Sequence, residues 1–311
     1  MYDTVNFKIT TTDFKGVDFL QEIPCFLENV AFHDYSGDMV VTGSLNGLKV
    51  SANRYQVKVK DASLCKWYLG DNFQSLGRGD VKKAIEKLSD TLHLPMDKAI
   101  ITRLDVAQNI ITKHPVAVYL NHLGALRYAV RLQEPSGLYY SRQAQRLCFY
   151  DKNREQRAKG EQIPELYKER NVLRYEQRYT KRLPTQFKKE VITGALLYDE
   201  AFYMDVLDRW KNTYKDIKKI NDIILNFQAM TSKQQFYKMG VLSMIEKIGG
   251  EVEMYNQIAD AQKRGDLTAK QAYDLRQAVK DACKTREGLT VKSEAITELD
   301  KKVMEAVRFY R

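Results

Sequence analysis

The chain has 311 residues, 44% of them apolar and 29% charged, which suits one large folded domain or two ordinary ones and excludes a disordered chain. Fifty Lys and Arg against forty Asp and Glu leave a net charge of +10, which favours a polyanionic partner, nucleic acid before membrane. No apolar leader and no apolar run of membrane-crossing length occurs, and none of Cys25, Cys65, Cys148 and Cys283 forms a Cys-x-x-Cys pair, so a cytoplasmic protein with reduced thiols and no membrane contact is expected.

The first half reads as strands and hairpins. "TVNFKIT" alternates with period two, and "DMVVTGSLNGLKVSANRYQVKVK" alternates around Gly43, Asn46-Gly47 and Ala52-Asn53, which read as hairpin punctuation. "RGDVKKAIEKLSDTLHL" has helical spacing at Val81, Ile85, Leu88 and Leu92, with Asp80 as the expected N-cap. "AIITRLDVAQNI" returns to strand, and "PVAVYLNHLGALR" is a short helix opened by Pro115. A strand ending at Tyr150 follows, then a charged stretch to about Glu169, then the strand "NVLRYEQRY". Beyond Pro184 the spacing is helical in five successive segments, with Gly249, Gly250 and Gly265 as stops. The predicted class is α+β: an antiparallel-sheet domain over 1–185 and an all-helical region over 186–311.

The charge is concentrated. Between Arg142 and Lys189 there are 14 Lys and Arg against 6 Asp and Glu. Three strands in or near this block carry polar residues in alternation. Period two places Ile101, Arg103, Asp105, Ala107 and Asn109 on one face, Arg146, Cys148, Tyr150 and Lys152 on another, and Arg174, Glu176 and Arg178 on a third. If the strands are neighbours, one sheet face collects two carboxylates, a tyrosine, a lysine and several arginines.

That set is chemically coherent. Asp105 and Glu176 are candidate oxygen ligands for Mg²⁺ or Mn²⁺, which would polarise a phosphoryl oxygen. Tyr150 is a candidate nucleophile at phosphorus, with Lys152 placed to favour its phenolate. Arg103, Arg146, Arg174 and Arg178 are candidate phosphate clamps. Taken singly, each charged residue is more simply a solvated strand face, and Tyr139 and Tyr140 compete with Tyr150 for the nucleophile's part.

"ITRLDVAQN", "LCFYDKNREQ" and "NVLRYEQRYTKRL" resemble the three successive motifs of the gene-two-type replication-initiator endonucleases of filamentous phages and of the trans-acting initiators of small rolling-circle plasmids. The shared pattern is Arg-x-Asp (Arg103, Asp105), Tyr-x-Lys-x-x-Glu (Tyr150, Lys152, Glu155) and Arg-x-Glu (Arg174, Glu176), over about residues 30–185. The resemblance implies a metal-dependent, site-specific DNA endonuclease and strand transferase. Tyr150 would become linked to a 5′-phosphate at a replication origin, Asp105 and Glu176 would hold the metal, and Lys152 and Glu155 would assist. His33, His93, His114 and His122 never form the His-x-His metal motif of the other large class of rolling-circle nickases. The alternative reading is a non-catalytic origin-binding or copy-control protein. The expected partner is origin DNA, duplex and single-stranded. Three tasks stand open for the C-terminal helices: duplex binding, a homodimer interface, or recruitment of a host helicase.

Overall fold

The computed structural model describes every residue except 13, 15, 62, 225–227, 229–231 and 287–288. In chain order it runs β1 (Tyr2–Thr10), α1 (Phe19–Glu22), β2 (Glu28–Tyr35), β3 (Asp38–Leu45), β4 (Leu48–Ala52), β5 (Gln56–Lys60), α2 (Leu64–Leu69), α3 (Arg78–Leu92) and β6 (Ile100–Thr112). Then come α4 (Val116–Asn121), β7 (Val130–Glu134), β8 (Gly137–Ser141), β9 (Gln145–Asp151), α5 (Lys152–Ala158), α6 (Glu165–Lys168), β10 (Asn171–Tyr179) and α7 (Leu183–Phe187). The remainder is α8 (Glu200–Asp216), β11 (Asp222–Ile223), α9 (Lys233–Lys247), α10 (Glu251–Arg264), α11 (Ala269–Cys283), β12 (Thr290–Val291) and α12 (Glu294–Tyr310).

Ten strands form one antiparallel sheet in the order β2-β3-β4-β5-β1-β6-β10-β9-β8-β7. The α+β class expected from the sequence is the one observed. The three polar strands are adjacent: β10 lies between β6 and β9, with Arg178 opposite both Asp105 and Arg146, and Glu176 between Ala107 and Cys148. Paired residues point to the same side of a sheet, so these side chains share one face.

The opposite face is apolar. Leu104, Val106, Leu147, Phe149, Leu173, Tyr175 and Tyr179 join one core with residues of α3, α4, α8 and α12. Tyr175 stacks between Phe149 and Trp210, with ring centroids 4.3 and 4.6 Å away, and its hydroxyl donates to the Trp210 carbonyl. Helices on both sides of residue 185 therefore share the sheet's core. A second, smaller cluster of Ile245, Ile258, Ala272, Val279 and Ala282 ties α9, α10 and α11 together.

Four local readings change. Gly43 is inside β3, where a Cβ would lie 2.9 Å from the Leu27 Cβ, so it serves close approach and not a turn. The N-cap of α3 is Gly77, and Asp80 reaches back to the Gly77 N–H from the third helical position. Lys152 is not a strand residue but opens α5, which Asp151 caps. Ile101 pairs with Phe7 and joins the core, because a register shift in the β1–β6 pairing turns it away from Arg103.

If α12 is structurally part of the sheet's core, Leu299→Ala destabilises the whole protein by about 2–5 kcal/mol, while the exposed Leu275→Ala stays within about 0.5 kcal/mol. Urea unfolding of the two variants checks this.

Candidate active site

Residues two apart on a strand lie on one face about 6.8 Å apart, within reach of an arginine. That spacing explains the pairing in the first and third motifs. Arg103 grips Asp105 in bidentate fashion, Nε to Oδ1 at 3.0 Å and Nη2 to Oδ2 at 2.7 Å. Glu176 stands between Arg174 and Arg178 on its own strand. Its Oε1 accepts from Arg174 Nε at 2.6 Å, and its Oε2 accepts from Arg178 Nε and Nη2 at 2.8 and 2.5 Å.

Tyr150 joins this cluster from β9. Its hydroxyl donates to Glu176 Oε1 at 2.7 Å. The small side chains of Ala107 and Cys148 flank Glu176 across the sheet, which leaves room for the phenol to lean over it. Burial raises the Tyr150 phenol well above its ordinary 10.0, and the Glu176 charge adds to the shift although Arg174 opposes it. Burial also pushes Glu176 up, but Arg174, Arg178 and the phenol outweigh it and bring the carboxyl down to about 2. Tyr150 is thus held as a neutral phenol on a firmly ionised carboxylate. Burial drives Asp105 up to about 6 against the pull of Arg103 and Arg178.

Lys152 bonds to its own helix and not to the phenol. Its ammonium is buried, bonded to Glu155 Oε2 at 2.8 Å and Gln156 Oε1 at 3.1 Å, with the Phe73 ring centroid 5.6 Å away. Glu155 also pairs with Lys159. Burial raises its carboxyl, yet the two lysines hold it below the ordinary range. The pair pins the first turns of α5 behind the end of β9.

Arg174 is not available to grip a phosphate. It is 2% exposed, and its guanidinium reaches Asp3 Oδ2 at 2.8 Å, the Asn72 carbonyl at 3.0 Å and Asn109 Oδ1 at 3.1 Å besides Glu176. The loop at 72–73 roofs this end of the polar face, receiving two bonds from Asn109 Nδ2 at its backbone carbonyls. Arg103 and Arg178 lie at the open end, 26% and 30% exposed. Arg146 is exposed, its guanidinium 4.7 Å from the Tyr139 ring centroid. Tyr140 is on the apolar face, fully buried, with its hydroxyl bonded to the Leu123 and Gly124 carbonyls. Tyr139 is on the same face as Tyr150, and its hydroxyl sits where a Cβ on Gly137 would fall, 2.7 Å away.

Two clefts meet at Tyr150. One, of about 630 Å³, is lined by Tyr139, Arg146, Arg154 and Lys159. The other, of about 340 Å³, is lined by Asp3, Asp61, Lys66, Arg103, Asp105 and Glu176. Tyr150, Glu155, Lys159 and Arg178 border both. A strand laid across this border would present one phosphate to the phenol and its neighbours to arginines on either side.

The donor set of the second cleft is all oxygen, the chemistry a hard divalent cation prefers. Its arrangement does not fit one. Both oxygens of Asp105 and both of Glu176 already accept from guanidinium groups, and among the described residues no three His, Cys, Asp or Glu are grouped to hold a metal.

Sequence reasoning missed Asp3, Asp61 and Asn72. Simple alternation puts Asp3 with Val5 and Phe7 in the core, but the β1–β6 pairing shifts register between Tyr2 and Val5 and frees Asp3 to meet Arg174.

A family profile for the N-terminal part of the phage gene-two replication-associated protein matches residues 1–211. No curated protein matches the chain. The match spans more than half of the sequence, so the chain belongs to this filamentous-phage, gene-two-type family of replication initiators. Among the described residues no helix is long and apolar enough to cross a membrane.

The buried part of the site yields a prediction with a sign. Arg174→Gln leaves buried Asp3 without its cation and Glu176 with Arg178 alone, and lowers stability at pH 7 by about 3–5 kcal/mol. Glu176 is depressed from 4.5 to about 2, so its contribution is present above pH 4.5 and is lost as pH falls toward 2. The gap between wild type and variant therefore narrows below pH 4.5, as urea melts across that range would record. A surface phosphate contact at Arg174 would instead leave stability nearly unchanged.

Proposed function

We propose that this replication initiator nicks one strand of a phage or plasmid origin with Tyr150 as nucleophile and later rejoins the displaced strand. The observation that carries the reading is the Tyr150 hydroxyl, seated on Glu176 at the border of two clefts that both reach Lys159 and Arg178. In the first step the phenolic oxygen bonds to the scissile phosphorus while the bond from phosphorus to the 3′ oxygen breaks. The phenol's proton passes to Glu176, and the departing 3′ oxygen takes up a proton from water. The products are a 5′-phosphotyrosine and a free 3′ hydroxyl fit to prime synthesis. In the rejoining step a 3′ hydroxyl attacks the phosphotyrosine and the phenol is released.

The resting site is poorly set for that step, since a carboxylate held at about 2 is a weak base for a phenol raised above 10. The incoming phosphate corrects this. It competes for Arg178 and Arg103, the two partly exposed guanidiniums, and each one that turns to phosphate leaves its carboxylate more basic. A Mg²⁺ or Mn²⁺ ion, if bound, would be held chiefly by Asp105 in exchange for Arg103 and would supply a Lewis acid for the phosphoryl group. Arg146 and Lys159 suit the flanking phosphates, and Lys152 and Glu155 are positioning residues for the corner that carries Tyr150.

The test uses supercoiled DNA bearing the element's own origin. With Mg²⁺ or Mn²⁺, wild type should give nicked circles whose 3′ ends a polymerase extends. Tyr150→Phe and metal chelation should each abolish nicking. Nicking that survives Tyr150→Phe contradicts the nucleophile, and origin binding by wild type without any nicking supports the non-catalytic reading.

A further inference from the structure

The polar face does not end at Arg103. Arg103 pairs with Asn6 on β1, and period two carries that side from Asn6 to Lys8. Lys8 is paired with Lys58 on β5, Lys60 follows on the same side, and Lys60 is paired with Lys49 on β4. Between them Val57 and Val59 turn to the core. Four lysines from three neighbouring strands thus stand together on the face that holds Tyr150.

Asp61, the acid next to Lys60 in the chain, is turned to Arg103 at 3.7 Å. Among the described residues none of the four lysines has a carboxylate within ion-pair distance. Burial and the charges of Lys60 and Lys8 depress the Lys58 ammonium, as expected for cations crowded without an anion. The surface is concave here. A trough of about 460 Å³ is lined by Lys49, Lys60, Asn29, Thr42, Ser44 and Ser51, and it meets the second cleft of the active site at Asp61.

We propose that this lysine row is a remote phosphate-binding subsite that holds the same single strand of DNA whose scissile phosphate lies at Tyr150. The inference rests on the reading of Tyr150's face as a single-strand platform and extends it past the basic block of 142–189. Three strand steps from β9 to β1, four to β5 and five to β4 place the row roughly 14–24 Å from Tyr150, a span of several nucleotides. The occupant is a polyphosphate chain because the row offers four cations beside the hydroxyls of Thr42, Ser44 and Ser51. Single-strand grooves combine such a cationic track with stacking aromatics, which Tyr139 supplies at the far side of the site.

The experiment measures binding alone, so it is independent of strand cleavage. Anisotropy titrations use a labelled oligothymidine of about 20 nucleotides and one of about 6, across a salt series. Lys49→Gln/Lys58→Gln/Lys60→Gln is compared with wild type and with Lys82→Gln/Lys83→Gln/Lys98→Gln, which removes equal charge at exposed positions in and just after α3, on the other side of the sheet. Five of the six lysines are exposed and Lys58 is half-buried, and melting curves of both variants check that they fold. The lysine-row variant should lose about tenfold in affinity for the long strand, its salt slope should fall by about 2, and the short strand should bind within about twofold of wild type. An unchanged slope and affinity, or an equal loss in the control variant, overturns the subsite. Neither result bears on whether Tyr150 forms an adduct, so the two readings fail separately.

Discussion

The carboxylate of Glu176 is the point on which the site turns. It is buried, and it accepts from a phenol and two guanidiniums at once. A buried charge of this kind is tolerated only with full hydrogen bonding, and removing one partner leaves a costly remnant. Its partners fall into two kinds. Arg174 is sealed under the loop at 72–73 and tied to Asp3 and Asn109, so it acts as a fixed counter-charge. Arg178 is partly open to solvent and faces the clefts, so it is the less tightly enclosed of the two.

The sheet exists in a form that makes this possible. β10 is flanked on both sides, and its alternate residues face opposite surroundings. Tyr175 and Tyr179 enter an aromatic core with Trp210 and Phe187, while Arg174, Glu176 and Arg178 line the polar face. The apolar side fixes the strand rigidly, and a rigid strand fixes the carboxylate to which the Tyr150 hydroxyl is bonded. Charge on one face and stacked rings on the other are consequences of a single period-two pattern.

Much of this was legible in the sequence. Arg103-x-Asp105 and Arg174-x-Glu176-x-Arg178 announce a common face by spacing alone, and the adjacency of their strands bears that out. What was hidden has physical causes. Two register irregularities in the β1–β6 pairing reverse the alternation of Asp3 and Ile101, so parity misplaces both. Arg174 and Arg178 look equivalent on a strand, and only the loop at 72–73, distant in sequence, buries one and spares the other. Lys152 reads as a strand residue two beyond Tyr150 until the Asp151 cap turns the chain into a helix beneath it. The lysine row escapes notice because its members come from β1, β4 and β5, each with an ordinary local charge.

The most direct measurement is mass spectrometry of the protein after incubation with a single-stranded origin oligonucleotide and Mg²⁺ or Mn²⁺, followed by proteolysis and mapping of any nucleotide-bearing peptide. The account predicts one adduct, a 5′-phosphodiester on Tyr150. An adduct on Tyr139, the other tyrosine of that face, or no adduct on the verified origin would contradict it.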